Sequence, residues 1–309
     1  MEVRLSDEVR RARATEAPIV VLESSVLAQG LPHPVNLEAT RVCEEAVRQA
    51  GAVPAVVAVV DGVVRCGLST DEVRRLASGP EPRWKIGVGE LASAVLQKAT
   101  GGTTVSATCA VAAACGLPVF ATGGIGGVHR GEAGDVSADL AALARYPGMV
   151  VCAGAKSVLD LQRTLEALEA LGVPILGYGT SEFPAFYANR SGLRLEHRAD
   201  TPELAAEALH AQRDWLGLPQ AVLLTVPPPI EVALERDEID RALVTAEAEA
   251  RRQGVTGKAV TPFLLARLVE ATGGRSLRAN VALLSMNARV AAEIAVVYAK
   301  LSASGRAGP

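Results

Sequence analysis

Short apolar runs alternate along the chain with longer amphipathic stretches. The runs at 19–22, 53–60, 119–121, 149–153, 173–178 and 221–226 are continuous and rich in Val, Ala, Ile and Leu, the pattern of strands covered on both faces. Between and after them, apolar residues recur at helical spacing over 37–50, 106–115, 161–171, 201–216, 239–252, 261–272 and 276–300. A charged helix over 5–15 leads the chain, and a short one at 69–78 opens with Ser69 or Thr70 and then Asp71-Glu72. Asp61-Gly62 is a hairpin signal that returns the strand at 53–60 as a second strand at 63–67. The alternation predicts an α/β fold: a three-layer α/β/α arrangement with a large mixed, mostly parallel sheet flanked by helices. No linker is long enough to divide residues 1–309, so one domain is expected, with a disordered tail at about 302–309.

Composition narrows this picture. Hydrophobic residues are 49% of the chain and aromatics only 3%, so Ala, Val and Leu must fill the interior. The net charge of −3 gives no general attraction to nucleic acid or acidic membranes, so any anion must be met by a local basic group. The five cysteines form no CxxC pair, and most sit in apolar surroundings, which predicts reduced core thiols in a cytoplasmic protein. The charged N-terminus does not read as a signal peptide, and the longest apolar run, 52–60, is about half a membrane span. A soluble protein acting on neither membranes nor nucleic-acid polymers is expected.

Residues of catalytic type gather between Val119 and Asp160. Gly123, Gly124, Gly126 and Gly127 match neither a dinucleotide fingerprint nor an ATPase loop, since His129 stands where the third glycine of G-x-G-x-x-G belongs. They leave a turn whose backbone can approach a ligand closely. His129-Arg130 follow, then Asp135 and Asp139, which on a helix would share a face and suit Mg²⁺ or Mn²⁺. Spacing alone favours the plainer reading, in which Asp135 or Ser137 simply caps the helix running to Arg145. Lys156 follows the run 149–153 and precedes Ser157 and Asp160, an S-x-x-D cap pattern. A lysine facing the positive end of a helix among apolar neighbours is disfavoured as ammonium, which frees its amine for a Schiff base. A snorkelling surface lysine is the alternative.

Outside this stretch, Glu23 directly follows the first apolar run, at the sheet edge where parallel α/β folds bind ligands, or else is a surface carboxylate. Gly101 to Val105 read as an ordinary C-cap followed by an N-cap, with an anion-binding loop as the alternative. Asn280 and Asn287, seven residues apart in an apolar helix, need hydrogen-bond partners.

Together, LESSVLAQGLPHPVN, TGGIGGVHRG, DVSADL, VVCAGAKSVLD, TPFLLARL and TGGRSLRANVALLSMNA, spread from residue 22 to 288, resemble the pseudouridine-5′-phosphate glycosidase family, also called indigoidine synthase A-like. That resemblance implies cleavage of the C–C glycosidic bond of pseudouridine 5′-phosphate to uracil and ribose 5-phosphate. It also implies a divalent cation, usually Mn²⁺, and a homotrimer. The family's catalytic lysine falls on Lys156 and its proton-transferring glutamate on Glu23. Its metal carboxylate falls on Asp135, with Asp139 beside it as a second candidate ligand. Substrate contacts fall on Lys85, Val105, Ser137, Ala138, Asp139 and Asn280, to which the His129-Arg130 pair is added. The chemistry agrees: a C-glycoside has no leaving oxygen to protonate, and an iminium at C1′ supplies the electron sink that a carboxylate pair lacks.

Three features depart from the family pattern: Gln29 in place of histidine, a shorter segment between Gly131 and Asp135, and IGVGEL after Lys85. A related Schiff-base lyase on another sugar phosphate, or a non-catalytic accessory of a pigment pathway, are the competing expectations.

Overall fold

The computed structural model describes residues 1–130, 134–255 and 260–305. Its strands are β1 (Arg4–Leu5), β2 (Ile19–Leu22), β3 (Val53–Val60), β4 (Val63–Cys66), β5 (Trp84–Ile86), β6 (Gly101–Thr103), β7 (Val119–Ala121), β8 (Val128–His129), β9 (Met149–Cys152), β10 (Leu159–Asp160), β11 (Ile175–Tyr178), β12 (His197–Ala199) and β13 (Val222–Thr225). Eleven of these form one sheet, ordered β1-β4-β3-β2-β7-β9-β13-β11-β12, with β6 also paired to β3 and β5 to β6. β8 and β10 pair separately. Every neighbour in the sheet is parallel except β3 with β4 and β3 with β6. The expected mixed, mostly parallel sheet is what the chain builds.

The helices are α1 (Asp7–Ala14), α2 (Val35–Gln49), α3 (Thr70–Ser78), α4 (Leu91–Leu96), α5 (Val105–Cys115), α6 (Ala138–Arg145), α7 (Leu161–Ala170), α8 (Pro202–His210), α9 (Arg236–Arg252), α10 (Val260–Ala271) and α11 (Arg275–Ala303). One layer is α11 against α2 and α8, resting on β2, β7 and β9; α5 lies on β2, β6 and β7 and packs against α6. By length and composition α11 could cross a membrane, but 56% of its most apolar window is buried within the fold. It is the long core helix.

The elements follow from local chemistry. All but the first residue of β3 are buried, and each buried valine contributes about 1.5–3 kcal/mol of transfer free energy. Ser69 caps α3 through a full capping box with Glu72, as its Ser-x-x-Glu spacing predicts. α1 begins at Asp7 rather than residue 5, because Arg4–Leu5 joins the sheet edge beside β4.

One expectation is corrected. Gly101 and Gly102 do not terminate a helix: they form β6, sandwiched between β3 and β5. A Cβ on Gly102 would lie 2.4 Å from the Ser24 carbonyl oxygen, so the close approach of the chain just beyond β2 excludes any side chain there. Of the expected disordered tail, Ser302 and Ala303 complete α11, and residues 306–309 lie outside the described residues. The shortened segment after Gly131 falls largely on residues 131–133, which also lie outside them.

Candidate active site

Parallel pairing aligns the carboxyl ends of the central strands. Leu22 is level with Ala121, Ala121 with Val151, and Cys152 with Thr225. Glu23, Thr122 and Ala153 therefore leave the sheet at one edge, where a parallel sheet opens a crevice.

Glu23 is held there by two hydroxyls. Ser25 Oγ donates to its Oε2 and Thr122 Oγ1 to its Oε1, both in short hydrogen bonds. Thr122 is braced in turn by Asn287 of α11, whose amide donates to the Thr122 carbonyl at 2.8 Å. The partner sought for Asn287 is thus the backbone beside Glu23. Asn280, seven residues earlier, donates to the Tyr187 hydroxyl at 3.3 Å and lines the cleft itself.

The cleft has two compartments. The first, about 70 Å³, is bounded by Glu23, Gln29 and Asn280 with the apolar Val26, Phe186 and Leu265. The second, about 300 Å³, is polar, bounded by the hydroxyls of Thr104, Ser106 and Ser137 and by His129, Asp135 and Asp139. Lys85, Lys156 and Thr261 line both. A larger cavity of about 580 Å³ between α2 and α11 contains none of the sequence-predicted site residues.

Lys156 reaches this seam from a loop rather than a helix. α7 begins only at Leu161, with Asp160 rather than Ser157 as its N-cap, so Lys156 stands five residues ahead of that helix. Instead the Lys156 N–H donates to the Ile125 carbonyl, and the Lys156 carbonyl accepts from the Leu159 N–H, fixing the backbone at both ends. Lys85 extends from β5, at the register position facing Gly102.

The two aspartates do not share a helix face. Ser137 is the N-cap of α6, which starts at Ala138, and Asp135 precedes it in extended chain. Asp139 is buried, with Oδ1 accepting from the Ser106 N–H at 2.9 Å and Oδ2 from the Gly126 N–H at 2.8 Å. It ties the start of α5 to the glycine turn. A Cβ on Gly126 would sit 2.2 Å from Ser137 Oγ, which explains that glycine. Asp135 is different: its side chain is 61% exposed, with one oxygen 3.9 Å from His129 Nε2.

Two further sequence-predicted residues are placed apart from the cavity lining. Arg130 is committed to the Leu159 and Ser157 carbonyls and to Asp240, as a brace between the β8 loop and α9. Val105 is buried at the first position of α5, while its neighbours Thr104 and Ser106 line the polar compartment. Ala138 lines it as well.

Sequence reading missed Thr122 and Phe186, and marked Gln29 only as a departure from the family pattern, with no role in the site. Thr122 follows β7 as Glu23 follows β2, so the same argument would have found it. Phe186 carried no such signal. It holds φ at +62°, a conformation bulky residues rarely adopt, and its ring meets Tyr187 edge-on at 4.6 Å. Burial pushes the Tyr187 phenol well above its usual range, against the Asn280 hydrogen bond, so it remains a neutral donor or acceptor. Cys109 beneath the site is likewise pushed up, first by burial and then by the charges of Asp139 and Glu23.

Comparison with known proteins follows the same lines. A sequence model described as indigoidine synthase A like protein matches residues 8–297. The pseudouridine-5′-phosphate glycosidase of Myxococcus xanthus (strain DK1622) is 55% identical, with 98% of this chain and 100% of the relative aligned. That of Symbiobacterium thermophilum is 49% identical over 94% of this chain and 95% of the relative. Among solved structures, the prealnumycin C-glycosynthase AlnA in complex with ribulose 5-phosphate superposes with a TM-score of 0.89 at 36% identity, covering 98% of both chains. An indigoidine synthase A (IdgA)-like protein from Thermotoga maritima superposes with a TM-score of 0.87 at 36% identity, covering 95% of both.

Proposed function

The chain belongs to the indigoidine synthase A-like family, and from that premise we propose that it is a pseudouridine-5′-phosphate glycosidase, reversibly cleaving pseudouridine 5′-phosphate to uracil and ribose 5-phosphate. One observation carries the reading: Lys156 lies on the seam between a small, partly apolar compartment and a larger polar one. A C-nucleotide has the same division, a flat base on one side of C1′ and a phosphorylated sugar on the other. The small compartment favours a single-ring base over a larger aglycone.

In this reading the Lys156 amine attacks C1′, the C1′–O4′ bond opens, and Glu23 passes to O4′ the proton that the attacking nitrogen gives up. The nitrogen lone pair then expels the uracil C5 carbon, which is protonated as it leaves. Water hydrolyses the resulting iminium to ribose 5-phosphate and restores the amine. Ser25 and Thr122 keep the Glu23 carboxyl aimed through these transfers. Lys85 and the hydroxyls at the start of α5 suit the phosphate.

A divalent cation, Mn²⁺ or Mg²⁺, fits Asp135, since such ions accept one carboxylate and keep several waters. Asp139 fits less well, both its oxygens already accepting backbone N–H groups. Among the described residues no cluster of three or more His, Cys, Asp or Glu offers a complete cage. The cation would supply charge that orients the sugar hydroxyls or phosphate.

A homotrimer and a cytoplasmic location complete the proposal. The open, largely apolar cavity between α2 and α11 supports the first, and five free, buried cysteines support the second.

The test is synthesis. Uracil, ribose 5-phosphate and Mn²⁺ should give pseudouridine 5′-phosphate, with Lys156→Ala at least about 10³-fold slower. Borohydride with ribose 5-phosphate should trap an adduct on Lys156. An inactive wild type, or a Lys156→Ala variant that retains turnover, overturns the reading.

A further inference from the structure

Gln29 stands on a short π-helical turn, Val26–Gly30, that begins three residues after Glu23. Its Nε2 donates to the Arg83 carbonyl at 2.7 Å. A carbonyl can only accept, so the amide cannot be reversed, and Oε1 must face the other way. That oxygen is buried and has no hydrogen-bond partner among the described residues. A buried acceptor left unpaired costs free energy that a bound donor would recover.

The side chain lines the small compartment with Glu23, Lys156 and Asn280. Among the described side chains lining that compartment, only Gln29 carries a buried polar atom without a partner. Glu23 already accepts from Ser25 and Thr122, and the two lysines there offer only donors. Gln29 therefore brings an uncommitted neutral acceptor to a compartment whose walls are otherwise suited to a flat ring. Uracil has two ring N–H groups, and both remain free when C5 is the atom joined to C1′.

We propose that Gln29 is the base-reading residue, its Oε1 accepting a ring N–H of uracil when the base enters between Phe186 and Leu265. This rests on the function proposed above. It puts the proton-transferring glutamate and the base reader on one short segment of chain, so that a correctly seated base and a correctly aimed Glu23 come together.

The experiment compares uracil, 1-methyluracil and 3-methyluracil as partners of ribose 5-phosphate in the wild type, Gln29→Leu and Gln29→His. Wild type should reject one of the methylated bases by at least about tenfold in kcat/KM, and Gln29→Leu should narrow that ratio to about threefold or less, mainly through KM for uracil. Gln29→His, whose neutral imidazole offers one donor and one acceptor, should keep the discrimination. KM for ribose 5-phosphate should stay unchanged throughout. Gln29→Met serves the same comparison if the leucine variant does not fold. An active wild type whose discrimination survives unaltered in the apolar variant overturns the role of Gln29 alone. An equal rise in KM for ribose 5-phosphate does the same. A wild type that makes no nucleotide from uracil overturns the functional reading, and this inference with it.

Discussion

At the scale of single residues, the site depends on hydrogen bonds that aim its carboxylates. Thr122→Val removes one of the two hydroxyls on Glu23 and should lower kcat about tenfold while leaving KM for ribose 5-phosphate near the wild-type value. Steady-state kinetics in the synthetic direction checks this, and an unchanged kcat would show that Ser25 suffices. Asp139 has a different task. Its buried carboxylate satisfies two N–H groups from separate elements, so Asp139→Ala should leave both unpaired and cost about 2–4 kcal/mol of stability. Urea unfolding measures that directly. Lys156 and Glu23 could be read in the sequence because each follows an apolar run. Gln29 stood out in the sequence only as a departure from the family's histidine and Phe186 not at all, since nothing local in a glutamine or a phenylalanine says which cavity it will line.

At the scale of elements, β6 is the instructive case. Gly101-Gly102 has the composition of a helix stop, yet it crosses between β3 and β5 because only glycine allows the Ser24 carbonyl to approach. Gly102→Ala should push β6 away from the segment that carries Glu23 and Gln29. The expected loss is about 1–3 kcal/mol in thermal or urea unfolding, with activity reduced as well. A variant as stable and active as wild type would mean that the contact relaxes freely. The long, uniform elements were legible: β2, β3 and β7 follow their apolar runs to the residue, and α11 follows its pattern closely. Short strands such as β5, β8 and β10 were not. With two or three residues each, they carry no periodicity, and partners far along the chain decide them.

At the scale of the whole molecule, the sheet supplies one edge to which distant segments bring Glu23, Lys85, Lys156 and Asn280. Its interior is sealed, and burial pushes the Cys43 and Cys152 thiols up to about 12 and Cys109 higher still. Thiolate, the reactive form, is therefore scarce near pH 8. Iodoacetamide at that pH should leave these three unmodified in the native protein and the activity intact, whereas all five cysteines should react after unfolding in guanidinium; mass spectrometry distinguishes the outcomes. Light scattering on the eluted protein tests the trimer, which a monomer at micromolar concentration would exclude. The sequence by itself determined the α/β class, the mostly parallel sheet and the ends of β2, β3 and β7, because burial on two faces imposes a continuous apolar run. It also determined Lys156 and Glu23 as candidates, because chemistry at a strand end is local. Only the tertiary structure decided that Asp139 holds backbone while Asp135 stays open to solvent, that Arg130 braces rather than lines the cleft, and that Lys156 divides two compartments. Those outcomes depend on which groups meet across the fold, and hydrogen-bond partners remote in sequence leave no pattern along the chain.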